Sequence, residues 1–129
     1  MRFYPFTPSW VRQAVPIHAV GVYLLAKYEE GSLASGYVGR SDTCLRRRLV
    51  YHNLLGRFDY FTFKIATNAE QAFVEEAGWW HLLRNEDFLL NSIHPSVPKY
   101  GEMICPYCVT PQQLQGFLDV LDRSGRRTS

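Results

Sequence analysis

The sequence predicts an α/β domain of the α+β kind, with a small sheet of about three strands, mixed or antiparallel, flanked by helices. Three features predict it. Gly21-Val22-Tyr23 and Tyr37-Val38-Gly39 are near-mirrored apolar triplets, and residues 29–36 between them hold two glycines and little apolar content, as a turn joining two strands does. Residues 58–66 alternate aromatic and polar side chains, the period of a third strand. Residues 43–55 and 69–83 place apolar side chains three and four apart, the period of helices.

In chain order, residues 1–18 carry Pro5, Pro8 and Pro16 with Trp10, a composition that predicts an irregular arm packed on the domain. Hairpin strands are expected over residues 20–28 and 37–40, where alternation lets Tyr23 and Tyr37 share one face. Asp42 or Ser41 is available to cap a helix over residues 43–55. Asn68 is placed to cap a second helix that ends near Arg84. Pro95, Pro98, Gly101 and Pro106 make residues 91–109 a loop, and Thr110-Pro111-Gln112-Gln113 opens a closing amphipathic helix before a basic, frayed tail from Arg123. The division that follows is one domain over residues 1–129, with a core over 19–95, an arm over 1–18 and a loop plus helix over 96–129.

Composition bounds the function. No run approaches the ~18 apolar residues of a membrane span, and the first residues lack the apolar stretch of a secretory signal, so a soluble, cytoplasmic protein without membrane contact is expected. Three cysteines, of which only Cys105 and Cys108 are close, do not make a secreted disulfide framework. The net charge of +2 is small but uneven. Residues 37–57 carry Arg40, Arg46, Arg47, Arg48 and Arg57 against Asp42 alone, whereas residues 68–91 carry five acids against Arg84 alone. A basic helix facing an acidic one suits phosphate on one side and a metal ion on the other.

Two helices concentrate the candidate chemistry. On the first, Leu45, Arg48, Leu49 and His52 fall on one stripe, so a guanidinium and an imidazole enter an apolar face where each needs a partner. Arg46 and Arg47 project elsewhere, toward solvent or a nucleic-acid backbone. On the second, a wheel at ~100° per residue gathers Ala69, Ala72, Phe73, Glu76, Trp79, Trp80 and Leu83 into one arc. Glu76 lies near its middle and Glu75 well outside it. A carboxylate inside an apolar arc calls for an ion pair, with Arg48 the nearest candidate, or for a metal.

With these residues the chain resembles the GIY-YIG nuclease family, whose members carry a tyrosine in each triplet, an arginine on the following helix and a glutamate on a later one. The resemblance spans about residues 19–95. It implies the GIY-YIG fold and a metal-dependent endonuclease acting on nucleic acid, DNA in the first instance, with one Mg²⁺ or Mn²⁺ held by Glu76. The family pattern of an alanine four positions before the glutamate is matched by Ala72, which selects Glu76 over Glu75 independently of the wheel. By the same resemblance Tyr23 and Tyr37 handle the attacking water, with nearby Arg40 and Arg48 expected to lower their pKa, Arg48 neutralises phosphate charge, and His52 belongs to the catalytic set. Arg40, Arg46, Arg47 and Asn91 would contact phosphate or support the site. Arg40 stands where several members have lysine, and it cannot act as a base. Two other readings are an inactive nucleic-acid-binding domain of the same fold and a thiol-redox or zinc-stabilised interaction protein using Cys105-Pro106-Tyr107-Cys108. For the latter, Cys44, His81 and His94 are scattered along the sequence as further ligands, and the cysteine pair in a loop reads as a packing element.

Overall fold

A computed structural model of the chain describes residues 2–84, 88–91, 94–98 and 105–108. Over these residues the protein is α+β, with strands β1 (Tyr4–Pro5), β2 (Val20–Glu29), β3 (Ser32–Ser41) and β4 (Tyr60–Ala66) and helices α1 (Pro8–Ala14), α2 (Leu45–Val50) and α3 (Ala69–Arg84). The sheet has four strands, all antiparallel, in the order β1-β4-β2-β3. The expected closing helix and the basic tail lie outside the described residues. Among the described residues, no helix is long and apolar enough to cross a membrane.

The hairpin is longer than its composition suggests. Ser32 to Gly36, with Leu33 their one large apolar residue, continue β3 instead of forming a turn, and the connection is only Glu30-Gly31. Both turn residues have positive φ, 52° and 82°, the pairing that matches the twist of the two strands. The fourth strand comes from the arm that proline content had assigned to irregular structure. Pro5 occupies a two-residue edge strand, where a missing N–H matters least, and Pro8 opens α1 just after Thr7, whose hydroxyl accepts the Trp10 N–H.

Alternation along β2 then divides the interior. On one face, Tyr23 and Leu25 join Phe61, the α1 residue Val11, and Leu45 and Leu49 from α2 in the main cluster. On the other, Val22, Leu24 and Val38 meet Trp79 and Leu83 from α3. Asn68 caps α3 as expected, its side-chain oxygen accepting the Gln71 N–H, and the helix buries Ala72, Phe73, Glu76, Ala77 and Trp80. The basic helix is shorter than its periodicity implies. The N-cap is Cys44, with no side-chain cap bond, and not Asp42 or Ser41: Ser41 accepts the N–H groups of Thr43 and Cys44 one step earlier, Asp42 is taken by Arg40, and α2 itself has six residues and stops before His52.

Each triplet glycine answers a close approach. A Cβ on Gly21 would lie 2.3 Å from the Lys64 carbonyl oxygen of β4. A Cβ on Gly39, directly opposite Tyr23 in the register, would lie 2.4 Å from the Tyr23 ring, so the bare backbone lets that ring lie flat across β3. Gly39→Ala is therefore expected to cost about 1–3 kcal/mol in urea unfolding, as overpacking of a filled interior does. Gly39→Ala unfolding at the wild-type midpoint would show that the ring has room to move.

Candidate functional site

Tyr23 and Tyr37 do share a face, on the diagonal of the β2/β3 register, with ring centroids 6.5 Å apart. His52 closes the group from the end of α2, its Nε2 2.8 Å from the Tyr23 hydroxyl and its ring edge-on to both tyrosines. Its other nitrogen settles the protonation pattern. Leu54 N–H donates to His52 Nδ1, so the neutral ring carries its proton on Nε2 and donates it to the Tyr23 oxygen. His52 thus orients Tyr23 without withdrawing its proton. Burial pushes the Tyr23 phenol up to about 12, the reverse of the lowering expected from nearby cations, because desolvation exceeds the opposing pull of Arg48. Tyr23 stays protonated at neutral pH.

The charged residues divide differently from the sequence expectation. Glu76 is ion-paired with Arg40, not with Arg48: Arg40 Nη1 donates to Glu76 Oε1 at 2.6 Å, and its Nε donates to Asp42 at 2.8 Å. This guanidinium is committed to two carboxylates, which hold it above its ordinary pKa although burial works against its charge. Burial raises the Glu76 carboxyl above the usual carboxylate range, with Arg40 offsetting part of the effect. Arg48 is exposed at the rim instead of lying in the apolar stripe, because the short α2 buries only Leu45, Leu49 and Val50, and among the described residues it forms no ion pair. Glu75 pairs with Lys64 at 2.9 Å on the outer side of α3.

These groups meet in a groove of about 620 Å³ along the β3 edge, lined by Tyr37, Arg40, Arg48, Glu76, Asn91 and His94 among others. Asn91 forms the far wall. Its side chain bonds the outward backbone of Val38 twice, accepting from N–H and donating to C=O, so it holds the edge of β3 directly. A second depression beside the first shares Arg40, Asp42 and Arg48 and adds Arg47 and Tyr51, whose ring is 77% exposed. Asp42, expected only as a helix cap, lines both depressions, and Tyr51, which no sequence pattern singled out, lines the second. Arg46 is withdrawn from it, donating from Nε to the Val15 carbonyl at the end of α1.

A second cluster was not legible as a unit. His81 from α3, His94, Cys105 and Cys108 bring their ligand atoms together, all within 4.8 Å, so four residues read as scattered or as a packing pair form one constellation. Cys44 is elsewhere, at the N-cap of α2. The chain matches no protein-family model, no curated protein and no solved structure.

Burial and the Arg48 charge depress the His52 pKa to about 4. An unfolded histidine binds a proton near ~6.5, so below that pH the unfolded state takes up a proton that the folded state refuses, and this part of the stability is lost as pH falls from about 6.5 toward about 4. In NMR titrations the His52 ring is expected to remain neutral until about pH 4, and His52→Gln to flatten the stability profile over the same window. A His52 midpoint near ~6.5 would contradict its burial against Tyr23.

Proposed function

We propose that the protein is a metal-dependent endonuclease of the GIY-YIG type, hydrolysing phosphodiester bonds in DNA. The observation that carries this reading is the groove in which a tyrosine from β3, an exposed arginine from α2 and a buried carboxylate from α3 face one another. Anion-binding and cation-binding groups side by side suit a phosphodiester with its counter-ion.

The residues are compatible with one Mg²⁺ or Mn²⁺. Among the described residues, hydrogen bonds reach Glu76 only at Oε1, and no fully buried side-chain oxygen lacks a partner, so Oε2 borders the groove. Glu76 would hold the ion through that oxygen, with phosphate and water as the other ligands, and the bound ion supplies stabilisation of the leaving oxygen. Arg48 meets the charge that grows on the phosphoryl oxygens. Tyr37 orients the attacking water in the groove, backed by the protonated Tyr23, which His52 holds in place. Arg47 and the exposed Tyr51 extend the contact along the backbone of the nucleic acid, the first by charge and the second by stacking.

One observation favours a second reading, a nucleic-acid-binding domain of the same fold that does not cleave: Arg40 already occupies one oxygen of Glu76 and competes with a metal for the carboxylate. Plasmid nicking in Mg²⁺ or Mn²⁺ separates the two. Cleavage is expected to disappear with EDTA, to fall by roughly two to three orders of magnitude in Arg48→Ala, and to vanish in Glu76→Gln, which keeps an acceptor for Arg40 and with it the fold. Glu75→Gln is the control, because an exposed ion pair such as Lys64–Glu75 contributes about 0–1 kcal/mol and touches no part of the groove. Salt-dependent DNA binding without cleavage in either ion would select the second reading.

A further inference from the structure

The histidine and cysteine cluster beside α3 has the make-up of a metal centre, and nothing in the groove uses it. His81 Nε2 lies 3.1 Å from Cys108 Sγ, 3.2 Å from His94 Nε2 and 3.6 Å from Cys105 Sγ, and His94 Nε2 lies 3.1 Å from Cys108 Sγ. Around a tetrahedral zinc, with Zn–S of about 2.3 Å and Zn–N of about 2.0–2.1 Å, ligand atoms stand roughly 3.3–3.8 Å apart. Four of the six ligand-to-ligand distances fall within about half an ångström of that spacing, and all six lie within 4.8 Å. Their identity matters equally: two imidazoles and two thiols are the donor set of a structural zinc site, and the two cysteines have the two-residue spacing of such sites.

An outer hydrogen bond supports the same conclusion. His94 Nδ1–H donates to the Pro95 carbonyl at 2.7 Å, which leaves the Nε2 lone pair directed into the cluster, as in histidines that bind metal. The Cys108 N–H donates to the Cys105 carbonyl, closing the Pro106-Tyr107 turn so that both sulfur atoms face the same way. Trp80 sets its ring edge-on to His81 and His94 and fills the space behind them.

We infer that His81, His94, Cys105 and Cys108 form a closed, four-ligand zinc site that fastens the segment after α3 to that helix. With all four positions supplied by protein, the ion has no open site for substrate and its role is structural. Its placement gives it a purpose. His94 lies in both the cluster and the wall of the Glu76 groove, and His81 stands five residues beyond Glu76 on the same helix, so the metal would fix the groove wall from behind. The inference does not rest on the nuclease reading, because the metal and its ligands are measurable without substrate.

The test is metal analysis of the full chain, expressed in zinc-containing medium and purified without chelator. About one zinc per chain is expected, falling to near none in Cys105→Ser and in Cys108→Ser, while His81→Cys retains it because sulfur can replace the imidazole nitrogen. Cobalt(II) exchanged into the wild-type protein is expected to give thiolate-to-cobalt charge transfer and the intense visible bands of tetrahedral coordination, a readout that stands even where a cysteine variant fails to fold. Removal of zinc by a strong chelator is expected to lower the thermal midpoint of the wild type. Wild-type protein that purifies without zinc and gives no tetrahedral cobalt spectrum would overturn the inference. So would a Cys105–Cys108 disulfide in the metal-free protein, or wild-type zinc content in both cysteine variants.

Discussion

Everything in this fold turns on β2, a strand covered on both faces and paired along both edges. Its side chains alternate between two interiors, Tyr23 and Leu25 into the cluster under α1 and α2, Val22 and Leu24 into the cluster under α3. A slip of one residue would exchange the two sets, driving a tyrosine hydroxyl into the apolar contact with α3 and pulling the His52 partner away. The register is therefore fixed by both interiors at once. The two triplet glycines sit where that register leaves no room for a Cβ, Gly21 against the Lys64 backbone of β4 and Gly39 under the Tyr23 ring.

The electrostatics of the groove follow from which arginine is committed. Arg40 lies half-buried between Asp42 and Glu76, with side-chain exposure of 11%, so its charge is largely spent on structure. Arg48, carried on a helix too short to bury it, keeps its charge at the rim. The Arg40–Glu76 pair and the Arg48 cation at the rim give the groove local polarity of both signs without a large net charge on the chain. Glu76 sits at the balance point. Its carboxylate is stabilised by Arg40 and destabilised by burial, so any further cation brought into the groove improves its situation.

Local signals were legible where local physics decides. The Asn68 cap, the apolar arc of α3 and the difference between Glu76 and Glu75 are all set within a few turns of one helix, and the structure has them as the pattern implies. The Tyr23 and Tyr37 diagonal was likewise implied by a period of two. What was illegible depends on contacts distant in sequence. Ser32 to Gly36 look like a turn because glycine and serine frame them and little in them is apolar, yet they continue β3, exposed at its outer end and buried by Gly36. Proline in the arm suggests an irregular, packed segment until its positions are matched to an edge strand and a helix start. The partner of Glu76 depends on how α3 crosses β3, which no spacing reports. The His81 and His94 pairing with Cys105 and Cys108 needs the chain to fold back on α3 before four residues separated along the sequence become neighbours.

The edges of the sheet bear on how copies of this protein treat one another. On one side β1 is two residues long and contains Pro5, and the adjoining part of β4 carries Lys64. On the other, Phe88 and Leu90 bond the Gly36 backbone and Asn91 bonds that of Val38, so the outward hydrogen-bonding groups at these two positions of β3 are already taken. An open row of amides is the usual template for one molecule to extend its sheet into the next. By taking up the outward groups of Val38, the same asparagine that lines the groove also withdraws part of that row from pairing with another strand, while the backbone of the returning segment does the same at Gly36.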